Sequence, residues 1–359
     1  MARKHKYVIT INFDYDKSKL VCKESVPYPF SKSYKDLFEI FENKIEITAH
    51  RSNRLDISGV FENYNSAIYT QIVKSLVYFY SQVGKALEII NISIDYIYDD
   101  ELKSNSDIKN GEINQIVKNN DDLSILKKVN GKALEVIFEE TSRGHAHLIA
   151  MTHLVKSFCS ESIYDAFERK WKAFNAIYRE AAGSSNASEF SRLCFMRENV
   201  ISFPANYPLI LNEVAKLDAK VVREKLRWVK FIHNNFSNLK RPELYKDFIL
   251  ANDDYRLAEI NKSTLSVREL LLKNEGFYDE VVKHLNDKID NKVVNNPHLA
   301  ATLCIKYMYF VRNKSVHAEK VDSSFRLTSL TKEESEISWL SSLLDLMLID
   351  LVNGHSNFN

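Results

Sequence analysis

The sequence predicts an α+β protein, with an N-terminal α+β domain over residues 1–144 and an all-helical domain over residues 145–359. In the first part, apolar and polar residues alternate within short segments, which is the pattern of half-buried strands. In the second part, apolar residues recur every three or four positions, and only Gly276 lies between Gly183 and Gly354. That spacing is typical of helices packed into a bundle.

The N-terminal domain is expected to contain short strands and one long helix. Strand periodicity covers residues 7–13, 44–49, 55–60, 90–98 and 133–139. Residues 66–87 change to helical spacing, with the apolar side chains on one side. The segment 99–122 is polar and rich in Asn, Asp and Lys, so we expect a long surface loop or a partly disordered insert there.

The C-terminal domain is expected to be a helical bundle. Helical spacing predicts helices over residues 162–182, 208–217, 218–233, 242–251, 265–275 and 277–291. Asn296 followed by Pro297 is a typical helix start, because Asn caps the free backbone N–H groups and proline fits the first turn. Thr331 and Glu334 have the spacing of a capping box that opens a last helix, which ends at Gly354.

Composition and charge exclude several classes of protein. The 359 residues suffice for two domains, and the formal net charge is only +1, so any contact with RNA must come from a local basic patch. The four cysteines form no closely spaced pair: Cys22, Cys159, Cys194 and Cys304. There is no apolar run typical of a signal peptide or a membrane span. We therefore expect a reduced, cytoplasmic protein that makes no membrane contact.

The segment Tyr307–Lys320 carries the candidate chemistry. It places Arg312, Asn313 and His317 at the far end of the helix that opens at Asn296. Asn313 and His317 are one helical turn apart, so the amide of Asn313 can orient the imidazole. Arg312 lies about 140° around the helix from His317. Either the last turn loosens, or a second copy of the chain completes the reacting pair.

These residue types suit cleavage of RNA without a metal or cofactor. His317 can take the proton of a 2'-hydroxyl near neutral pH. Arg312 stays charged and can stabilise the negative charge that builds on the phosphate. The expected products are a 2',3'-cyclic phosphate and a 5'-hydroxyl. DNA lacks the attacking hydroxyl and should not be cleaved.

Further residues are candidates for substrate binding. Tyr309, one turn before Asn313, and Lys314, inside the motif, are candidates for contact with RNA. Basic residues at helical spacing predict a stripe that grips phosphates: Lys220, Arg223, Arg227 and Lys230. A solvated helix face is the alternative for this stripe. Arg227 and His233 also form an R-x5-H pair, but Trp228 follows the arginine and cannot orient a base.

The pattern R-N-x-x-x-H of Arg312, Asn313 and His317 resembles the signature of the HEPN superfamily. Phe167–Arg179, read FERKWKAFNAIYR, is similar to the aromatic helix that precedes this motif in several HEPN groups. The resemblance covers roughly residues 145–354. It implies a helical bundle that forms a homodimer with the two motifs facing each other. It also implies an RNase of the kind found in toxin–antitoxin, CRISPR and abortive-infection systems.

We therefore expect an endoribonuclease that acts as a growth-arresting toxin or an anti-phage effector. The N-terminal domain would then sense a trigger, bind an antitoxin partner or hold substrate. One alternative is a non-catalytic binding or scaffold module, in which Arg312 and His317 mark an interface or an ordinary helix end. Another is a metal nuclease that uses His145, His147 and His153, although no carboxylate or cysteine completes a usual ligand set.

Overall fold

The computed structural model describes residues 4–29, 31, 33–118, 120–183, 188–238, 241–316 and 331–358. It confirms the α+β class: a six-stranded sheet comes first, and the rest of the chain is mainly helical. The chain forms two compact units, the first being Met1–Ala181 with Phe358–Asn359 and the second Ala182–Asn357. No helix within the described ranges has both the length and the apolar character needed to cross a membrane.

The sheet of the first unit is antiparallel throughout, in the order β2-β3-β4-β1-β5-β6. Its strands are β1 His5–Phe13, β2 Leu20–Pro27, β3 Lys35–Phe41, β4 Lys44–Arg51, β5 Ile89–Tyr98 and β6 Glu101–Lys109. Ile9 lies opposite Ile47 on one side and Ile94 on the other, and all three are fully buried. The alternation over residues 7–13, 44–49 and 90–98 therefore predicted the central strands and their buried face.

Among its described residues, the first unit also contains four α-helices, and the last two of them extend it beyond residue 144. They are α1 Ala67–Val83, α2 Gly131–Leu134, α3 Ser142–Phe158 and α4 Ile163–Ala181. In α1, Ser66 caps the N-terminus and Gly84 ends the helix with a φ of 59°, which glycine adopts without strain. The division between units falls after Ala181 and not at residue 144, because α3 packs along α4 and also on α1.

Several predicted elements in this unit are wrong, each for a local reason. The polar segment 101–109 is an edge strand and not a loop, since pairing with β5 needs backbone groups and no apolar side chains. Residues 133–139 form helical turns, which begin where the Asn130 side chain accepts from the N–H groups of Lys132 and Ala133. Residues 55–60 contain turns, one of which is closed by the Asp56 carboxylate and the Ser58 N–H. Strands β2 and β3 were not predicted.

The second unit is built from eleven α-helices within the residues that the structure describes. They are α5 Glu189–Ser202, α6 Pro208–Val214, α7 Ala219–Lys225, α8 Trp228–Asn235, α9 Glu243–Leu250, α10 Tyr255–Ser263, α11 Glu269–Asn274, α12 Tyr278–Asp290, α13 Asn296–Ala301, α14 Met308–Val316 and α15 Lys332–Asn353. Short 3-10 turns occur in both units: Asn110–Glu112, Ser124–Lys128 and Glu135–Phe138 in the first, and Pro204–Asn206, Leu265–Val267 and His355–Asn357 in the second. The capping box of Thr331 and Glu334 is confirmed at the start of α15. The predicted helix over 218–233 is wrong, because Leu226 and Arg227 break it into α7 and α8.

Gly144, in the first turn of α3, is held against backbone. A Cβ at this position would lie 2.4 Å from the carbonyl oxygen of Glu139 and 2.7 Å from that of Val136. We therefore expect Gly144→Ala to destabilise the protein by about 2 kcal/mol or more, since backbone must shift to make room. Gly111→Ala is the matched control, because nothing lies within 4 Å of its Cβ position. Equal urea midpoints for the two variants would contradict this packing.

Candidate functional site

The helix that leads to the motif is anchored where it begins. Asn295 caps α13 by accepting from the N–H of His298, and its own N–H donates to Asp254 Oδ2 over 2.8 Å. Arg256 Nη2 donates to Asp254 Oδ2 and to Asn296 Oδ1, each over 2.7 Å. Asp254 and Arg256 are buried, so the charges compensate each other away from water. The first turn of α13 is thus fixed to the start of α10.

A π-helical segment, Thr302–Tyr307, joins α13 to α14. Arg312 thus lies near the far end of the helical run that begins at Asn296, as expected, but that run is not α-helical throughout. A π turn takes in an extra residue, which rotates every later side chain about the helix axis relative to a regular helix. The side of α14 on which a residue lies therefore cannot be predicted by counting regular helical turns from Leu299 or Leu303.

A buried carboxylate fixes the start of α14. Glu336, on α15, is fully buried, and its Oε1 accepts from the hydroxyl of Tyr307. The same oxygen accepts from the backbone N–H of Arg227 over 2.8 Å, and Oε2 accepts from Arg227 Nε over 2.6 Å. Glu333 Oε2 lies 3.1 Å from Arg227 Nη1. Three separate parts of the chain therefore meet at one ion-pair cluster.

Burial and charge act together in this cluster. Burial raises the pKa of Tyr307, and the neighbouring carboxylate of Glu336 raises it further. Burial by itself would lower the pKa of Arg227, but Glu336 and Glu333 outweigh that effect and raise the pKa. The Trp228 ring stacks on Tyr307 at 5.6 Å with an interplanar angle of 9°. The site helix is thus held by both a polar and an aromatic contact.

The motif residues lie on the last turns of α14. Arg312 and Asn313 are partly exposed, and Arg312 Nη1 donates to Asn313 Oδ1 over 3.0 Å. The side-chain oxygen of Asn313 thus holds the guanidinium. That the amide of Asn313 orients the imidazole stays a prediction. His317 lies outside the described residues. In this structure, Asn313 is therefore a hydrogen-bond partner of Arg312.

The flanking substrate-binding candidates differ in their surroundings. Tyr309 is partly exposed, and its hydroxyl donates to Glu189 Oε2 on α5 over 3.2 Å. Lys314 is partly exposed in the last turn of α14. The contact between Tyr309 and Glu189 places α5, a helix that was not predicted, beside the motif.

The expected basic stripe on one helix is wrong. Lys220 and Arg223 are exposed on α7, and Lys230 is exposed on α8, so the helical spacing does not carry across the break. Lys220 Nζ lies 4.0 Å from a carboxylate oxygen of Glu224. The Arg227 side chain is only 12% exposed and is held by two carboxylates. The Arg227 side chain is therefore largely buried, and its charge is engaged by the carboxylates of Glu333 and Glu336.

Two residues that the sequence analysis did not single out have unusual environments. Glu336 falls on the apolar stripe of α15 with Leu340 and Leu344, and a charge on that stripe was a signal for a buried ion pair. Lys306 lies in the π segment, with Nζ 4.0 Å from the centre of the Phe248 ring. No spacing in the sequence points to Lys306, because the direction of the Lys306 side chain depends on the π turn.

The histidines of α3 do not gather. His147 Nδ1 lies 2.8 Å from the carbonyl oxygen of Arg143, and His153 has its pKa lowered by burial and by the charges of Lys172 and Arg169. Among the residues that the structure describes, no group of three or more His, Cys, Asp or Glu side chains is arranged to hold a metal ion.

The Tyr307 hydroxyl bond can be tested against a tyrosine in the same unit. Tyr245 is equally buried, but its hydroxyl has no hydrogen-bond partner among the described residues. We expect Tyr307→Phe to lower the free energy of unfolding by about 1–3 kcal/mol, because Glu336 loses a donor. Tyr245→Phe should leave it unchanged or raise it slightly. Urea unfolding measures both, and similar losses in the two variants would contradict the cluster.

Lys306 predicts a pH dependence of stability. Burial, with a smaller contribution from the charge of Arg197, lowers the pKa of Lys306 from 10.5 to about 8. The folded chain therefore binds fewer protons at Lys306 than the unfolded chain does between pH 8 and 10.5. Its contribution to stability rises with pH across that window and is least favourable below pH 8.

Lys306→Met should accordingly raise the free energy of unfolding at pH 7, by at most about 3 kcal/mol. The stability difference between the variant and the wild type should shrink between pH 8 and 10.5. The exposed Lys283 provides the control, since Lys283→Met should change neither quantity appreciably. A difference from wild type that stays constant with pH would show that the ammonium of Lys306 is not penalised by burial.

Comparison of the chain with protein-family models, with curated proteins and with solved structures gives no match. The resemblance to the HEPN superfamily therefore rests on the residues of this chain, chiefly Arg312, Asn313 and His317.

Proposed function

We propose that the chain is a metal-independent endoribonuclease of the HEPN type, with Arg312 as the phosphate-binding cation and His317 as the general base. One observation carries the proposal. The guanidinium of Arg312 is held by Asn313 Oδ1 at 3.0 Å, on the partly exposed end of a helix whose start is anchored in the core. His317 follows Arg312 by five residues, the spacing of the signature.

In the proposed reaction, His317 takes the proton of the 2'-hydroxyl as the 2'-oxygen attacks phosphorus. The bond from phosphorus to the 5'-oxygen breaks, and that oxygen takes up a proton from water and leaves as a 5'-hydroxyl, while the protonated His317 returns its proton to the solvent. Arg312 stabilises the extra negative charge on the phosphate oxygens in the transition state. Asn313 keeps the guanidinium in one orientation, so less side-chain freedom is lost when the phosphate binds.

The proposal includes a homodimer formed through the C-terminal helical region. Arg312 and His317 lie about 140° apart on a regular helix, so one motif presents them poorly to a single phosphate. Two facing motifs bring an arginine and a histidine to each side of the RNA. By the same resemblance, we assign the chain the role of a cytoplasmic toxin or anti-phage effector. Its sheet-containing unit then receives a trigger or an antitoxin partner.

Cleavage of RNA by matched variants tests the proposal. His317→Ala should lower kcat by about 10²- to 10⁴-fold, the usual contribution of a general base. Arg312→Ala should lower it by about 10²- to 10³-fold, as expected for loss of a donor to a developing charge. His233→Ala, from the R-x5-H pair, and Arg241→Ala, from the exposed ion pair with Glu243, should cleave as the wild type does.

The chemistry of the ends separates this reaction from others. Fragments should carry 2',3'-cyclic phosphates and 5'-hydroxyls, and cleavage should continue in excess EDTA. Loss of cleavage in EDTA would favour a metal nuclease instead. Equal RNA integrity with wild type, His317→Ala and Arg312→Ala would leave the non-catalytic binding module as the function of this region.

A further inference from the structure

A cleft of about 700 Å³ lies in the second unit, where α8 and α15 begin. Lys230 and Lys332 line it, together with Thr331 and the ion pair of Arg227 with Glu333. The cleft adjoins the motif helix, because the backbone N–H of Arg227 donates to the Tyr307 hydroxyl over 2.8 Å. Arg312 follows Tyr307 by five residues, about 7.5 Å along a helix.

The two lysines supply the excess charge of this cleft. Both are exposed, and neither forms an ion pair with any residue that the structure describes. Arg227 faces the carboxylates of Glu336 and Glu333, so these three side chains carry a net charge of −1, which the two lysines turn into a net positive charge for the cleft as a whole. An anion that enters the cleft therefore meets two ammonium groups that form no ion pair with a described residue, while the carboxylate in the lining, that of Glu333, is held by Arg227.

The lysines also occupy positions that are unfavourable for folding. Lys332 is the first residue of α15, and Lys230 is the third residue of α8. The start of a helix carries a partial positive charge, so a cation there costs about 0.3–1 kcal/mol, whereas an acidic residue would be favourable. Such local conflicts are expected where a residue serves binding and not stability.

We propose that this cleft binds a backbone phosphate of single-stranded RNA beside the cleavage site, through Lys230 and Lys332. The inference rests on the proposed function for the identity of the polymer. Phosphate oxygens suit the cleft because ammonium groups and the first N–H groups of helices both donate to anions. The buried Trp228, only 2% exposed, offers no stacking surface, so the contact reads the backbone and not the base.

Binding is tested with a probe that cannot be cleaved. The probe is a fluorescein-labelled RNA of about 12 nucleotides, within the usual site sizes, that carries 2'-O-methyl groups throughout. The double variant Lys230→Glu/Lys332→Glu should bind it at least about tenfold more weakly at low salt than the wild type. The slope of log affinity against log salt should fall by about 1.4, which is ~0.7 for each lost phosphate contact.

The control carries the same change in net charge away from the cleft. Lys262→Glu/Lys283→Glu alters two exposed lysines of α10 and α12 that do not line the cleft, and it should keep the wild-type salt slope. The Lys230→Glu/Lys332→Glu protein should unfold at about the same urea concentration as the wild type, because both lysines are exposed and form no ion pair with a described residue. Weaker binding with undiminished stability is a result that misfolding cannot produce.

The outcomes separate this inference from the nuclease. Equal affinity and salt slope in the two double variants would overturn the cleft as a phosphate site, whether or not RNA is cleaved. Failure of the wild type to bind the probe would overturn it too. Selective loss of binding in Lys230→Glu/Lys332→Glu, in a protein that cleaves no RNA, would support the cleft and refute the nuclease.

Discussion

The carboxylate of Glu336 has no contact with water, and a buried charge is tolerated only when it is paired and hydrogen-bonded. Its two oxygens accept hydrogen bonds from the Tyr307 hydroxyl, the Arg227 backbone N–H and the Arg227 guanidinium. These donors come from the end of the π segment and from the junction of α7 and α8. The requirement to satisfy one carboxylate thus joins three distant parts of the chain, and the placement of α14 depends on it.

With its beginning held by Asp254 and its middle by Glu336, the motif helix has two fixed points. Between them lies the π segment, which decides the direction in which α14 presents its side chains. Beyond the second point the helix runs from the buried Val311 to the partly exposed Arg312. Arg312 therefore lies on a helix that is fixed in the core, at a position that solvent can reach, and the proposed function depends on this combination.

Several residues around this helix are placed against their own preferences. Lys306 is partly buried among aromatic rings, and Lys230 and Lys332 sit where helix dipoles disfavour cations. The buried carboxylates of Asp254 and Glu336 are instead paired with arginine side chains. Lys230 and Lys332, in contrast, form no ion pair with any described residue. They line the cleft beside Arg227, whose backbone N–H contacts Tyr307 of the motif helix.

The sequence by itself determined the elements whose signal is local. Alternation in β1, helical spacing in α1 and α4, and the capping box of α15 each depend on neighbours within a few residues. Tertiary structure alone decided β6, whose pairing is made by backbone groups, and the turns at 133–139, where an apolar run is compatible with helix or strand. It also decided that the Arg227 side chain is held in ion pairs, because its carboxylate partners come from α15, more than one hundred residues away. Long-range pairing leaves no periodic trace in the sequence. The motif could therefore be found there, whereas the residues that anchor its helix could not, apart from the charge of Glu336 on an apolar stripe.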